Sequence, residues 1–278
     1  MNAERQYFRF ALVVSVVYLF LLVPMSRAST DSQTVHVLLV PGTATPFPAN
    51  RPADPIHNKQ PHPAIGQWTP TTNVHVSEDI NIAAVRNTGD AALVLLKPLL
   101  PPHAKIKLHI VASGEVGIIT TWQGDNTTEV RRYAAAELER WLRDPANSGE
   151  KDLFFAVSYS HGDTILSDAI TLSKKPFEAV ISLAAPGVNP KPEMVKRQIN
   201  FVFKGDVVVK IAGEVLVEEQ KPAVPSPGAK DGATNIVLDP PPPFDPHNGI
   251  GLHQLMQNPK VLIDRVYPKL KAFLDAKD

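Results

Sequence analysis

Short apolar runs alternate with segments of helical period along much of the chain. Val35-His36-Val37-Leu38-Leu39-Val40 is apolar and β-branched and ends at Pro41-Gly42, the pattern of a strand buried on both faces. Ile106 to Ala112 is a second such run. Between Asn126 and Asp144 the residues Val130, Tyr133, Ala134, Leu138, Trp141 and Leu142 recur at helical spacing, with Arg131, Arg132, Glu137, Glu139 and Arg140 opposite them. An amphipathic helix is expected there. Regular units follow: a strand over 153–158, a helix over 164–172, a strand over 179–183, a helix around 193–198 and a strand over 199–203. The last helix is expected over 261–274, with a kink or restart at Pro268. This alternation predicts the α/β class, with a mostly parallel central sheet, helices on both faces and right-handed crossovers.

Two stretches break the pattern. Residues 44–104 hold ten of the 27 prolines, and residues 220–246 hold eight more. Proline-rich insertions of this length read as lids, binding loops or disordered segments. Within and beside the second, Val207-Val208-Val209 and Val215-Leu216-Val217 predict a short hairpin, and Ile236-Val237-Leu238 predicts the last sheet strand. Loops at the carboxyl ends of parallel strands surround the ligand crevice. Phe47, Trp68 and Phe244 are therefore the expected apolar substrate contacts.

The first 28 residues read as a signal peptide. Arg5 and Arg9 precede the run of 14 from Phe10 to Val23, and Pro24 and Ser26-Arg27-Ala28 supply a cleavage site after Ala28. An uncleaved anchor is the competing reading, but a spanning helix wants about 20 apolar residues. Residues 29–278 then form one α/β domain of 250 residues, enough for a single core. The leader holds Arg5, Arg9, Arg27 and Glu4 of the 28 basic and 28 acidic residues, which leaves 25 against 27 and a formal charge of −2. That balance argues against a nucleic-acid partner. The absence of cysteine excludes disulfides, a thiolate nucleophile and thiolate metal sites. The expected location is secreted, periplasmic or in the cell envelope.

The candidate chemistry lies where the strand over 153–158 runs straight into a helix. A serine on such a strained strand-to-helix turn needs small residues two positions before and after it. Ser158 and Gly162 meet that demand around Ser160. The helix beyond offers free N–H groups where an oxyanion would form. Ser158-Tyr159-Ser160-His161-Gly162 resembles the G-x-S-x-G turn of the α/β-hydrolase family, within it the lipase- and esterase-like serine hydrolases. Ser158 stands in the first glycine place, and Asp163 stands where the bacterial branch with a Ser-His-Gly-Gly turn has a second glycine. Leu38-Leu39-Val40-Pro41-Gly42-Thr43 is similar to the oxyanion loop of the lipases, with the Val-Pro-Gly-Thr of the fungal lipase-B group.

The resemblance implies Ser160 as nucleophile, with the N–H groups of Thr43 and His161 binding the oxyanion. Its chain order of serine, acid and histidine implies Asp206, after the strand over 199–203, as the acid. His253 is the implied base, on a loop leading into the terminal helix, with His247 as the alternative. No cofactor is implied. His57 and His62 lack the spacing and the carboxylate neighbours of a metal site, so no metal is expected. The implied activity is hydrolysis of carboxylic esters, on a small-molecule or lipid substrate, with contact to a membrane surface left open. Two other readings stand beside it. One is a non-catalytic binding protein of the same fold, and the other an amide or thioester hydrolase.

Overall fold

The computed structural model describes residues 34–42, 65–72, 74–112, 117–120, 128–149, 151–186, 191–206, 208–209, 231–242 and 249–276. The chain divides into two units, Met1–Gln33 and Thr34–Asp278, and every described residue belongs to the second. The expected leader therefore lies outside the described residues, as do Thr43, His247, Phe47, Phe244 and most of the expected hairpin. Val208 and Val209 have helical backbone rather than the strand expected of them.

Among the described residues six strands form one sheet: β1 (Thr34–Val40), β2 (Lys105–Ile110), β3 (Leu153–Tyr159), β4 (Phe177–Leu183), β5 (Val195–Phe203) and β6 (Thr234–Leu238). Their order is β2-β1-β3-β4-β5-β6, and every pairing is parallel. The register sets Val40 beside Ser158, and Ser158 beside Ser182, so the carboxyl ends of β1, β3 and β4 finish level with one another. The central strands are buried almost throughout, which is why their sequences read as unbroken apolar runs.

Besides short 3-10 turns, the helices among the described residues are α1 (Ile65–Trp68), α2 (Thr88–Leu96), α3 (Thr128–Arg143), α4 (His161–Ser173), α5 (Gly249–Leu255) and α6, which runs through Pro259–Val261, a π turn at Leu262–Val266 and Tyr267–Asp275. α3 packs on α4, whereas α2 packs on α1 and α6. Along β3, Ser158 reaches into α4 while Tyr159 meets Trp68 of α1, so the two groups cover opposite faces. α3 buries Val130, Ala134, Leu138 and Leu142 at intervals of four, as its amphipathic pattern requires. The π turn widens the helix just before Pro268, whose missing N–H leaves a carbonyl one turn back without its usual donor. The restart expected at Pro268 is this turn. Among the described residues no helix is long and apolar enough to cross a membrane.

Two expectations are corrected. Residues 88–96, within the stretch expected to be an insertion, belong to the core, because every residue of α2 is buried and its leucines and valine join the central core. The Asn87 side chain caps that helix by accepting the Asp90 N–H. Asp90 in turn accepts from the hydroxyls of Thr71 and Thr72 and from the Arg86 N–H. Burial alone would raise the Asp90 pKa, and these hydrogen bonds hold it below its ordinary value. The helix expected around 193–198 is instead the start of β5. Val195 pairs with Phe177, and Lys196 reaches Glu178 at 2.6 Å. The open edge of β4 satisfies more backbone groups than an isolated polar turn of helix can.

Candidate active site

The turn between β3 and α4 carries the strain expected at a nucleophile. Ser160 has φ 50° and ψ −131°, outside the regions that a residue with a Cβ prefers. Its N–H donates to the Leu183 carbonyl at 2.9 Å, and its carbonyl accepts the Asp163 N–H at 3.0 Å. These bonds hold the turn against its neighbours. Two glycines allow the end of β1 to press against it. A Cβ on Gly162 would lie 2.5 Å from the Pro41 carbonyl oxygen, and one on Gly42 would lie 2.7 Å from Cβ of Ser160. Both are closer than real Cβ contacts come, so Pro41-Gly42 and the serine turn interlock through missing side chains. Thr43, one residue further, lies outside the described residues. His161 opens α4, where the first N–H groups have no carbonyl of their own helix to bond.

Three of the side chains singled out in the sequence come together at this turn. His253 Nε2 lies 2.9 Å from Ser160 Oγ, and its Nδ1 lies 3.0 Å from Asp206 Oδ2. All three residues are buried. An ionised carboxylate only accepts, so Nδ1 carries the proton and the bare Nε2 accepts the serine O–H. The other carboxylate oxygen accepts the Val209 N–H at 3.1 Å, which fixes the acid from behind. Asp206 follows β5 directly, as expected, whereas His253 sits within the short helix α5 rather than on a loop.

The two departures from the glycine pattern are partners of each other. Ser158 Oγ donates to Asp163 Oδ1 at 2.9 Å, and Ser182 Oγ on β4 donates to the same oxygen at 2.7 Å. Gln198 on β5 reaches Ser182 at 2.9 Å. A polar chain thus crosses three buried strands beneath the nucleophile. Ser182 and Gln198 were not singled out by their sequence positions, although a polar residue within a buried strand is the signal that marks them.

The His161 side chain is buried and its Nδ1 has no hydrogen-bond partner among the described residues. Burial first, then the charge of Arg131 and the neighbouring His253 ring, push its pKa down to about 3, so the ring is neutral. Trp68, expected to line the cleft, is instead fully buried: its indole packs on Tyr159 with ring centroids 6.3 Å apart. It belongs to the core because α1 and α2 seat against the sheet instead of standing over the site. Among the described residues no group of three or more His, Asp or Glu side chains is arranged to hold a metal ion.

No family model matches the chain, and no curated protein matches its sequence. Among solved structures the chain is similar to an α/β serine hydrolase without lid from Xanthomonas campestris, at 12% identity over 84% of each chain with a TM-score of 0.34. It is also similar to a metagenomic carboxyl esterase, at 10% identity over 87% of this chain and 77% of that one with a TM-score of 0.36. The chain's own geometry is more specific than these likenesses. The parallel sheet, the strained serine at the carboxyl end of β3, the glycine-bearing end of β1 against it and the chain order Ser160, Asp206, His253 give this protein the α/β-hydrolase fold.

Proposed function

We propose that the protein is a serine hydrolase of carboxylic esters, lipase- or esterase-like, that works by double displacement. The observation that carries the reading is the unbroken hydrogen-bonded line from Ser160 through His253 to Asp206. In this reading the Ser160 oxygen attacks the ester carbonyl as His253 Nε2 takes its proton, and Asp206 stabilises the imidazolium that forms. The N–H groups of His161 and Thr43 bind the oxyanion. The proton then passes to the departing alcohol. Water enters, His253 takes a proton from it, and the acyl group leaves as a carboxylic acid while Ser160 recovers its hydrogen.

The non-catalytic alternative gains ground if no histidine reaches the serine, and His253 lies within hydrogen-bond range of it. Ser160→Ala abolishes p-nitrophenyl ester turnover and leaves the melting temperature within a few degrees if the proposal holds. Retained turnover in that variant contradicts it. Profiling ester, thioester and peptide substrates separates the ester reading from the other acyl bonds.

We further propose that the protein is exported through the leader at residues 1–28. N-terminal sequencing of the protein recovered from culture medium or periplasm tests this, and a mature chain beginning at Ser29 is the expected result.

A further inference from the structure

Beyond the backbone bonds of α5 and of the Met256 N–H, which also reaches its carbonyl, His253 has hydrogen-bond anchors among the described residues at Ser160, at Asp206 and at the hydroxyl of Tyr159, which donates to the His253 backbone carbonyl at 3.1 Å. The first two take part in the proposed reaction. The third does not. The Tyr159 ring also packs against the His253 ring, with centroids 5.1 Å apart and planes at 40°. Trp68 backs the tyrosine from its other side and donates from Nε1 to Gln257 Oε1 at 3.4 Å, just beyond the end of α5. The Thr88 hydroxyl of α2 bonds the Gln257 carbonyl. Tyr159 is buried, and a Cβ on Gly42 would lie 2.7 Å from its ring, so the ring has little room to move. Burial raises its pKa well above the ordinary phenol value, so the hydroxyl remains a donor throughout the working range.

These contacts acquire a specific importance after acylation. Once the Ser160 oxygen is esterified it has no proton to donate, and the His253 Nε2 contact that centred the imidazole is lost. The base must nevertheless stay in place to take a proton from water. We infer that Tyr159 is a positioning residue for the second half of the reaction, holding His253 over the acyl-enzyme when the nucleophile no longer does. The inference rests on the hydrolase reading above. It also assigns a task to α1 and α2: they brace the tyrosine that braces the base.

The test is pre-steady-state turnover of p-nitrophenyl acetate by the full chain, comparing wild type with Tyr159→Phe, which removes one hydroxyl and keeps the ring. The burst rate, which reports acylation, stays within about twofold, while the steady-state rate falls about fivefold, since one lost hydrogen bond is worth about 1 kcal/mol. The Michaelis constant falls with it, because acyl-enzyme accumulates. Equal losses in both phases, or no loss in either, overturn the inference. If Tyr159→Phe does not fold, Trp68→Phe, which keeps the hydroxyl but loosens its backing, is read for the same split at smaller size. If the wild type shows neither a burst nor a fluorophosphonate adduct, the hydrolase reading fails by itself. The clamp is then decided by the low-field NMR resonance of the His253 Nδ1 proton, which must shift or broaden in Tyr159→Phe and which overturns the clamp if unchanged.

Discussion

Ser158 and Asp163 stand five residues apart at positions where the G-x-S-x-G pattern and its Ser-His-Gly-Gly variant have glycine, and they are hydrogen-bonded to each other at 2.9 Å. Ser158 alone would bury a hydroxyl without this acceptor, at a cost of about 1–3 kcal/mol, and Asp163 alone would have one donor fewer for its buried carboxylate. Together they satisfy one another. The carboxylate also sits in the first turn of α4, where the helix dipole favours negative charge.

The pair is therefore expected to be energetically coupled. Asp163→Ala takes the acceptor away from the hydroxyls of Ser158 and Ser182 and costs about 2–6 kcal/mol in denaturant unfolding. Ser158→Ala made in that background costs at least about 1 kcal/mol less than in the wild type. Additive effects would show that the two residues are not energetically coupled.

Gly162 and Gly66 make a matched pair for a second test. Alanine at Gly162 forces its Cβ onto two backbone carbonyls of the β1 end, whereas a Cβ on Gly66 has nothing within 4 Å. Gly162→Ala is expected to lose more than about 2 kcal/mol or to yield no soluble protein. Gly66→Ala changes stability by less than about 1 kcal/mol.

At the amino ends of the strands, away from Ser160, His36 on β1 lies between two partners. Its Nε2 is 3.1 Å from Asp152 and its Nδ1 is 3.0 Å from His109 Nε2. Asp152 only accepts, so His36 donates from Nε2 and accepts at Nδ1, which makes His109 the donor between the rings. Phe154 stacks on His36 and Trp141 of α3 packs edgewise on His109, while Lys107 and Lys175 add positive charge nearby. Burial lowers the pKa of both histidines, His109 to about 4.

The sign follows from those directions. A histidine whose pKa is depressed by folding stabilises the native state above the unfolded value near 6.5 and loses that contribution as pH falls toward its folded value. Asp152, whose pKa is also depressed, acts in the same sense, since it is stabilising when ionised. Unfolding free energy is therefore expected to decline between about pH 6.5 and pH 4. Urea titrations across that range check it, and His109→Gln should flatten the slope. A stability independent of pH in this window contradicts the assignment.

The legible part of the fold was the part whose residues carry a period or an unbroken apolar run. β1, β3 and β4 announce themselves because both faces are buried. α3 does so because one of its faces is wet. α2 was illegible for the converse reason: it is buried all round, so Ala91 to Leu96 shows no polar stripe. The start of β5 misled because Lys196 and Arg197 are exposed and imitate a polar helix, while its pairing with β4 is a long-range fact. Ser160, Asp206 and His253 could be named from motif and chain order, whereas Tyr159 could not, because no motif or chain order marks its contact with His253.

The most direct test of the account is the reaction of the folded protein with a fluorophosphonate, followed by mass spectrometry of its peptides. One adduct is expected, on Ser160, absent in Ser160→Ala and slowed by a factor on the order of a thousand or more in His253→Ala. A folded wild-type protein that takes no adduct on Ser160, or that reacts equally fast without His253, would contradict it.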